Sequence, residues 1–328
     1  MGRPRRLELG KIPIPFLQAT VLRQTGAESK DVVLGPGPGE DFAAVRIPGG
    51  YLLVSSDPVT GAPGLVGEYA VDVNANDIAT SGKRPRFLES VILLPEGSGP
   101  RELNQIASQI HGRAEKLGIS IIGGHTEVSP GIDHAVVILT AFGLVKKFVA
   151  SSYASAGDSL MMAGTAGVEG TAALAGRRLG GLGGRSKRVE AEFAARLSIV
   201  HEAEAAYATG GVSAMHDCTE GGVLGAIFEM SLASGCGFLL EREKVPVAPE
   251  TRVVCASLSL DPLKLISSGA LLFAVPRGRE ADVAQATGAV KVGKFTREEK
   301  VLIEGKGRRI EVAEAPEDEL WRVLGAGD

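Results

Sequence analysis

Three observations in the sequence predict a two-domain protein of mixed α+β and α/β class. Its 328 residues are long for one domain and comfortable for two. Short apolar runs alternate with stretches of helical periodicity along the chain. A small, polar segment at residues 151–157 interrupts that alternation near the middle, and the pattern restarts after it. With 44% hydrophobic and 23% charged residues, a sizeable buried core is available.

In the first half, residues 41–47 and 50–57 are apolar-rich runs around a Pro48-Gly49-Gly50 turn and read as paired strands. Residues 65–82 place Leu65, Val66, Tyr69, Val73 and Ile78 near helical spacing. Residues 87–94 read as a strand ended by Pro95. The clearest helix spans 100–117, where Leu103, Ile106, Ile110 and Leu117 share a face. Pro100 suits its first turn and Gly118 its C-terminal stop. Residues 119–122 and 135–145 are two further strands. The order β-β-α-β-α-β-β puts helices on one sheet face and leaves the other to be covered, a second subunit being one option. In the second half, a strand at 159–163 precedes helices at 168–177, 189–208 and 222–234. A strand at 271–275, a helix at 280–285 and strands at 290–295 and 301–303 follow. The basic, glycine-rich run 177–188 reads as a mobile connector, or as a lid that reaches phosphate.

Composition excludes several classes. The 35 basic and 39 acidic residues leave a formal net charge of −4, which argues against a chain that coats nucleic acid. Three widely spaced cysteines, Cys218, Cys236 and Cys255, make no CxxC pair or zinc spacing, so a reduced cytoplasmic protein is the simplest reading. The basic start has no apolar stretch behind it, no apolar run approaches a membrane span, and the Met-Gly start lacks a myristoylation pattern.

Five short stretches carry chemistry. The loop Gly35-Pro36-Gly37-Pro38-Gly39 ends in Glu40 and Asp41, which suit a hard divalent cation, although a solvated turn accounts for it about as well. Asp57 closes an apolar strand. Asp72, Asn76 and Asp77 lie near i, i+4 spacing on a predicted amphipathic helix, where Asp and Asn oppose local propensity; an exposed polar face is the competing reading. Gly123-Gly124-His125-Thr126-Glu127 follows a strand and suits a loop wrapped around a ligand, with His125 more plausible as a structural residue than as a base. Finally, His216-Asp217-Cys218-Thr219-Glu220-Gly221-Gly222 opens a helix, where free N–H groups of Gly221 and Gly222 would face an anion. Cys218 has only His216 nearby to activate it and is better read as a buried thiol.

The order GEDFAAV, SSD, NANDIATSG with Pro85, GGHTEV and HDCTEGGVLGA resembles the superfamily of AIR synthase, selenophosphate synthetase, thiamine-monophosphate kinase and HypE. The stretch from His216 through VPV to LDPLKLISSGALLFAV is most similar to HypE and its archaeal relatives. The resemblance implies a PurM-like two-domain fold, with domains at 1–150 and 151–328. The first would carry a ferredoxin-like sheet that dimerises into a composite β-barrel, the second would be α/β, and ATP would lie between them. It further implies Mg²⁺ held by Asp41, Asp57, Asp77 and Asp217, with Asp77 and Asp217 catalytic. Gly39, Asn76, Gly123, Gly124, Thr219, Gly221 and Gly222 would contact the nucleotide.

The expected activity is ATP-dependent phosphorylation or dehydration of an amide, carboxylate or thio group of an unidentified small-molecule or protein-borne acceptor, in hydrogenase or other metalloenzyme maturation. A non-catalytic nucleotide-binding assembly or sensor protein and a small-molecule kinase are the alternatives. Two departures are visible: Glu40-Asp41 stands where the family has Asp-Asp, and the last cysteine is Cys255. HypE proteins carry a terminal cysteine that is carbamoylated and dehydrated. The expectation is therefore that this chain does not perform that reaction on its own tail. The loop 35–39 also lacks the reactive residue of selenophosphate synthetases.

Overall fold

The structure, a computed structural model, describes residue 7 and residues 9–60 and 64–325. The basic residues at the start, read above, lie outside these. A short helix α1 (Ile14–Ala19) leads into strands β1 (Val32–Leu34), β2 (Ala43–Ile47) and β3 (Gly50–Val59). Helix α2 (Val66–Ala79), β4 (Phe87–Leu94), α3 (Pro100–Leu117), β5 (Ser120–Val128) and β6 (Val136–Val145) complete the first half. The second half runs β7 (Ser159–Ala163), α4 (Val168–Gly176), α5 (Ser186–Ala194), α6 (Val200–Ala208), β8 (Ala214–Asp217), α7 (Gly222–Ser234), β9 (Gly237–Glu241) and α8 (Pro249–Leu258). It ends with β10 (Leu271–Val275), α9 (Glu280–Thr287), β11 (Val290–Thr296), β12 (Lys300–Glu304), β13 (Arg308–Glu311) and α10 (Glu319–Leu324).

The N-terminal strands form a six-stranded sheet in the order β1-β2-β3-β6-β4-β5. Only β4 and β5 pair in parallel. Period-two alternation decides its faces. Val137, Leu139 and Ala141 of β6 and Leu53 of β3 are buried on one face, where α2 and α3 cover them. The opposite face carries Val54, Phe87, Val91, Leu93, Val136, Ile138 and Phe142, all half-buried, and the exposed Leu144. The sheet is open: in the single chain the described strands do not close into a barrel.

The C-terminal sheet has seven strands in the order β13-β12-β9-β11-β7-β10-β8. The α/β expectation for this half is corrected in one respect. Its strand pairs are antiparallel except β9 with β12, so the sheet is mixed, as the helices do not alternate with the strands as crossovers. Helix α7 packs on one face with Phe238, Leu240 and Leu272. The other face, through Met161, Met215 and Phe273, joins the core beneath α2. One buried apolar cluster thus runs continuously through both halves.

Three local expectations change. Helix α2 is not amphipathic: Asp72, Asn74, Asn76 and Asp77 are as buried as its apolar residues, because α2 lies between the N-terminal sheet and the second half. The single helix expected at 189–208 is two, α5 and α6, broken at 195–199. The basic run 177–188 is not a loose connector, since Leu182 is buried among α4, α5 and α8 and Ser186 already starts α5. No described helix is long and apolar enough to cross a membrane.

Candidate active site

The site begins with two adjacent elements. On β3, Ser55 and Asp57 follow Leu53 at alternate positions, so all three face α2. On α2, Asp77 meets them, its Oδ2 accepting a hydrogen bond from Ser55 Oγ at 2.6 Å. One turn earlier, Asn74 latches the β3 backbone: its Oδ1 accepts from Asp57 N at 2.8 Å and its Nδ2 donates to Asp57 O at 3.2 Å. Two further elements add acids. Asp41 stands just ahead of β2, and Asp217 ends β8 in the other half of the chain.

The four aspartates are close enough for their charges to act on one another. Burial first, then the charges of Asp57, Asp217 and Asp41, push the Asp77 carboxyl well above its ordinary range. Burial and the Asp41 charge push Asp217 up to about 8. Oδ2 of Asp41 and Oδ2 of Asp217 are buried and accept no hydrogen bond, and the same holds for Oε2 of Glu40. Such orphaned acceptors cost about 1–3 kcal/mol each, so the site is built for something that supplies positive charge. Among the described residues, no group of three or more His, Cys, Asp or Glu side chains is placed to hold a metal ion by itself. That donor set fits Mg²⁺, which takes one or two carboxylates and completes its shell with phosphate and water, better than it fits an all-protein site.

A chain of alternating charges supports the acids. His216, on β8, lies with Nδ1 2.6 Å from Asp41 Oδ1 and Nε2 3.2 Å from Glu229 Oε2 on α7. Burial opposes its charge, but Asp41 and Glu229 outweigh burial and raise its pKa to about 10, so it is an imidazolium donating from both nitrogens. Glu229 in turn accepts from Lys11 Nζ at 2.9 Å. Burial works against the Glu229 charge; Lys11 and His216 overcome it and hold the carboxyl at about 2.

The remaining expected contacts sort differently. Asn76, expected to contact phosphate or metal, is engaged within the chain: its Nδ2 donates to Leu197 O at 2.8 Å and its Oδ1 accepts from Ile199 N at 2.9 Å. Asp72 faces away from Asp77, toward α3, and pairs with Arg113 at 2.7 Å. Burial nevertheless leaves it at about 6. Residues at i, i+4 and i+5 on a largely buried helix thus serve three different neighbours.

Gly123 and Gly124 lie inside the edge strand β5 rather than in a loop. At Gly124 (φ +152°) a Cβ would collide with the Ser90 carbonyl of β4, so this glycine is required by strand pairing. His125 is exposed and bonds Glu127 at 2.9 Å. Gly39 (φ +84°) packs against the Glu229 carbonyl, which brings the glycine-rich loop onto α7. The free N–H groups expected at the start of α7 are already used. Gly221 N donates to Asp318 Oδ2 at 2.6 Å and Gly222 N to Thr219 O at 3.0 Å. Thr219 Oγ1 meets Lys11 Nζ at 3.3 Å. Cys218 is fully buried, and burial holds its thiol well above its ordinary range.

Sequence reasoning missed Lys11 and Glu229. Lys11 sits in no motif; Glu229 falls within the stretch compared with HypE but was not singled out, and it lies about two turns into α7.

Two family models match the chain. The AIR synthase related protein N-terminal domain covers residues 39–145, and the corresponding C-terminal domain covers residues 155–306. The carbamoyl dehydratase HypE of Rhodobacter capsulatus is 32% identical over 258 residues, 76% of this chain and 74% of that protein. The chain belongs to the AIR synthase-related family. Within it, a hydrogenase expression/formation protein of Methanocaldococcus jannaschii is 27% identical and aligns over 92% of this chain and 93% of its own length. A HypE solved in complex with ATP superposes with a TM-score of 0.72 at 22% identity, covering 93% of this chain and 95% of that one. The AIR synthase-related fold therefore extends over both sheets described above.

Proposed function

We propose that this chain is an ATP-dependent dehydratase of the HypE type that acts in hydrogenase maturation. The observation that carries the reading is the meeting of Asp41, Asp57 and Asp77 with Asp217, drawn from both halves of a chain 32% identical to a carbamoyl dehydratase. The unmet oxygens of Asp41 and Asp217, with Asp57 and Asp77 beside them, would hold Mg²⁺ on the phosphates of ATP, and the metal would neutralise charge there. Asp77 and Asp217 would do the catalytic work.

The reaction needs little covalent help from protein. An acceptor carboxamide oxygen bonds to the terminal phosphorus as the bond to ADP breaks. The amide protons then leave, and the carbon–oxygen bond breaks to give a nitrile and phosphate. Asp77 or Asp217, as a carboxylate, would accept a departing proton. Cys218, next to Asp217, is sealed in the core, which favours an acceptor borne by another molecule.

The open apolar face of the N-terminal sheet and the exposed edge β5, with Ile121, Ile122 and Val128 at its surface, favour a homodimer that closes the two sheets into a barrel. The three free cysteines favour a reducing compartment such as the cytoplasm.

The test is incubation with MgATP and a peptide carrying an S-carbamoylated cysteine. The expected result is phosphate release matched by loss of one water from the peptide in its mass spectrum. ATP binding with no turnover on any carbamoyl, carboxylate or phosphate-accepting substrate would instead favour a nucleotide-sensing role.

A further inference from the structure

Lys11 lies far from every motif, yet the fold brings its ammonium into the acidic site. Its anchoring is specific. Lys11 N donates to Glu220 Oε1 at 2.5 Å, and the same oxygen accepts from Trp321 Nε1 of α10 at 3.0 Å. Gly10 has no room for a Cβ between Glu220 and Trp321. The segment at Gly10-Lys11 is therefore strapped to the entrance of α7 by the C-terminal helix, and the side chain is aimed inward. Nζ then meets Glu229 at 2.9 Å and Thr219 Oγ1 at 3.3 Å, within reach of the Asp217 charge.

The charge balance of the site gives this placement a purpose. Four aspartates and a polyphosphate repel each other, and protein cations must offset part of that. Two cations stand at the site among the described residues. His216 has both nitrogens committed to Asp41 and Glu229. Lys11 has three donors, a single carboxylate partner, and a side chain that is 50% exposed.

We infer that Lys11 contacts the terminal phosphate of bound ATP, its ammonium reaching past Glu229 toward the group beside Asp217. This rests on the nucleotide reading above and adds to it the residue that separates ATP from ADP. Glu229 holds the ammonium ready, and its link through His216 to Asp41 ties the strap to the metal-facing acids.

Calorimetry of Lys11→Ala and Lys11→Arg with MgATP and MgADP tests the assignment. Losing a charge-assisted bond to one phosphate should weaken ATP roughly tenfold to a hundredfold in Lys11→Ala. ADP affinity should stay within about twofold, because the diphosphate lacks the contacted group. Lys11→Arg should recover most of the ATP preference. A purely structural strap would lower both affinities together or neither, and either result overturns the inference. Should Lys11→Ala not fold, Lys11→Met keeps the aliphatic stem and carries the same comparison. A wild-type chain that binds neither nucleotide overturns the ATP reading itself, whereas wild-type ATP binding with an unchanged ATP/ADP ratio in the variants overturns Lys11 alone.

Discussion

Asp41 and His216 stand 2.6 Å apart, one residue from each half of the chain, and the pair continues through Glu229 to Lys11. The same Asp41 that shares its Oδ1 with the imidazolium keeps Oδ2 unpartnered beside the other aspartates. A structural ion network and a prospective metal site therefore meet on a single carboxylate.

That junction predicts a pH dependence. His216 is raised to about 10 from 6.5, so the folded chain keeps a proton that the unfolded chain loses above 6.5. Its stabilisation is complete below 6.5 and is lost as pH rises toward 10. Asp217, raised from 3.8 to about 8, acts with the same sign over its own window. The unfolding free energy from urea titrations should fall steadily from pH 6.5 to 10, by an amount on the order of a few kcal/mol. In His216→Gln the fall above pH 8 should largely disappear, and a slope equal to that of the parent would show that His216 is not the titrating group.

Crowding of like charges separates function from stability at Asp77. Burial and three neighbouring carboxylates disfavour its charge, so Asp77→Asn should stabilise the ligand-free chain. Ser55 can still donate to the amide oxygen. ATP turnover should nevertheless drop about 10²- to 10⁴-fold, as it should in Asp217→Asn. Melting curves and phosphate-release assays on the same preparations check both halves of the prediction; parent-like turnover in both variants would remove the aspartates from the chemistry.

Asn76 behaves in the opposite sense. Removing its amide leaves Leu197 O and Ile199 N buried and unpaired, so Asn76→Ala should cost about 2–4 kcal/mol in denaturant unfolding. The folded fraction should bind ATP as the parent does. A loss of affinity at parent-like stability would return Asn76 to the nucleotide site.

The edge strand carries the assembly prediction. Ile122 is 59% exposed on β5, which pairs with β4 on one side only. The parent chain should sediment as a dimer, and Ile122→Lys should shift it to monomer at micromolar concentration. Unchanged sedimentation of the variant would move the interface elsewhere.

Local spacing was enough to place much of the fold. Helix α3 was legible from Leu103, Ile106, Ile110 and Leu117 between Pro100 and Gly118, and β4, β7, α7 and β10 from apolar runs bounded by proline, glycine or polar turns. The strand nature of 123–128 was not legible. Two glycines there resemble a ligand loop, while the structure uses Gly124 to admit the Ser90 carbonyl of its neighbour.

The sequence by itself determined the two-part organisation, the apolar faces and the short acidic motifs, because these depend on residues a few positions apart. The tertiary structure decided what each acid and amide does. Asp72, Asn76 and Asp77 lie within six residues, yet packing turns them to Arg113, to the gap between α5 and α6, and to Ser55. It also brought Lys11 to Glu229 across more than two hundred positions. Charge interactions act through space and depend on burial, and neither distance nor burial between remote segments is written in local spacing.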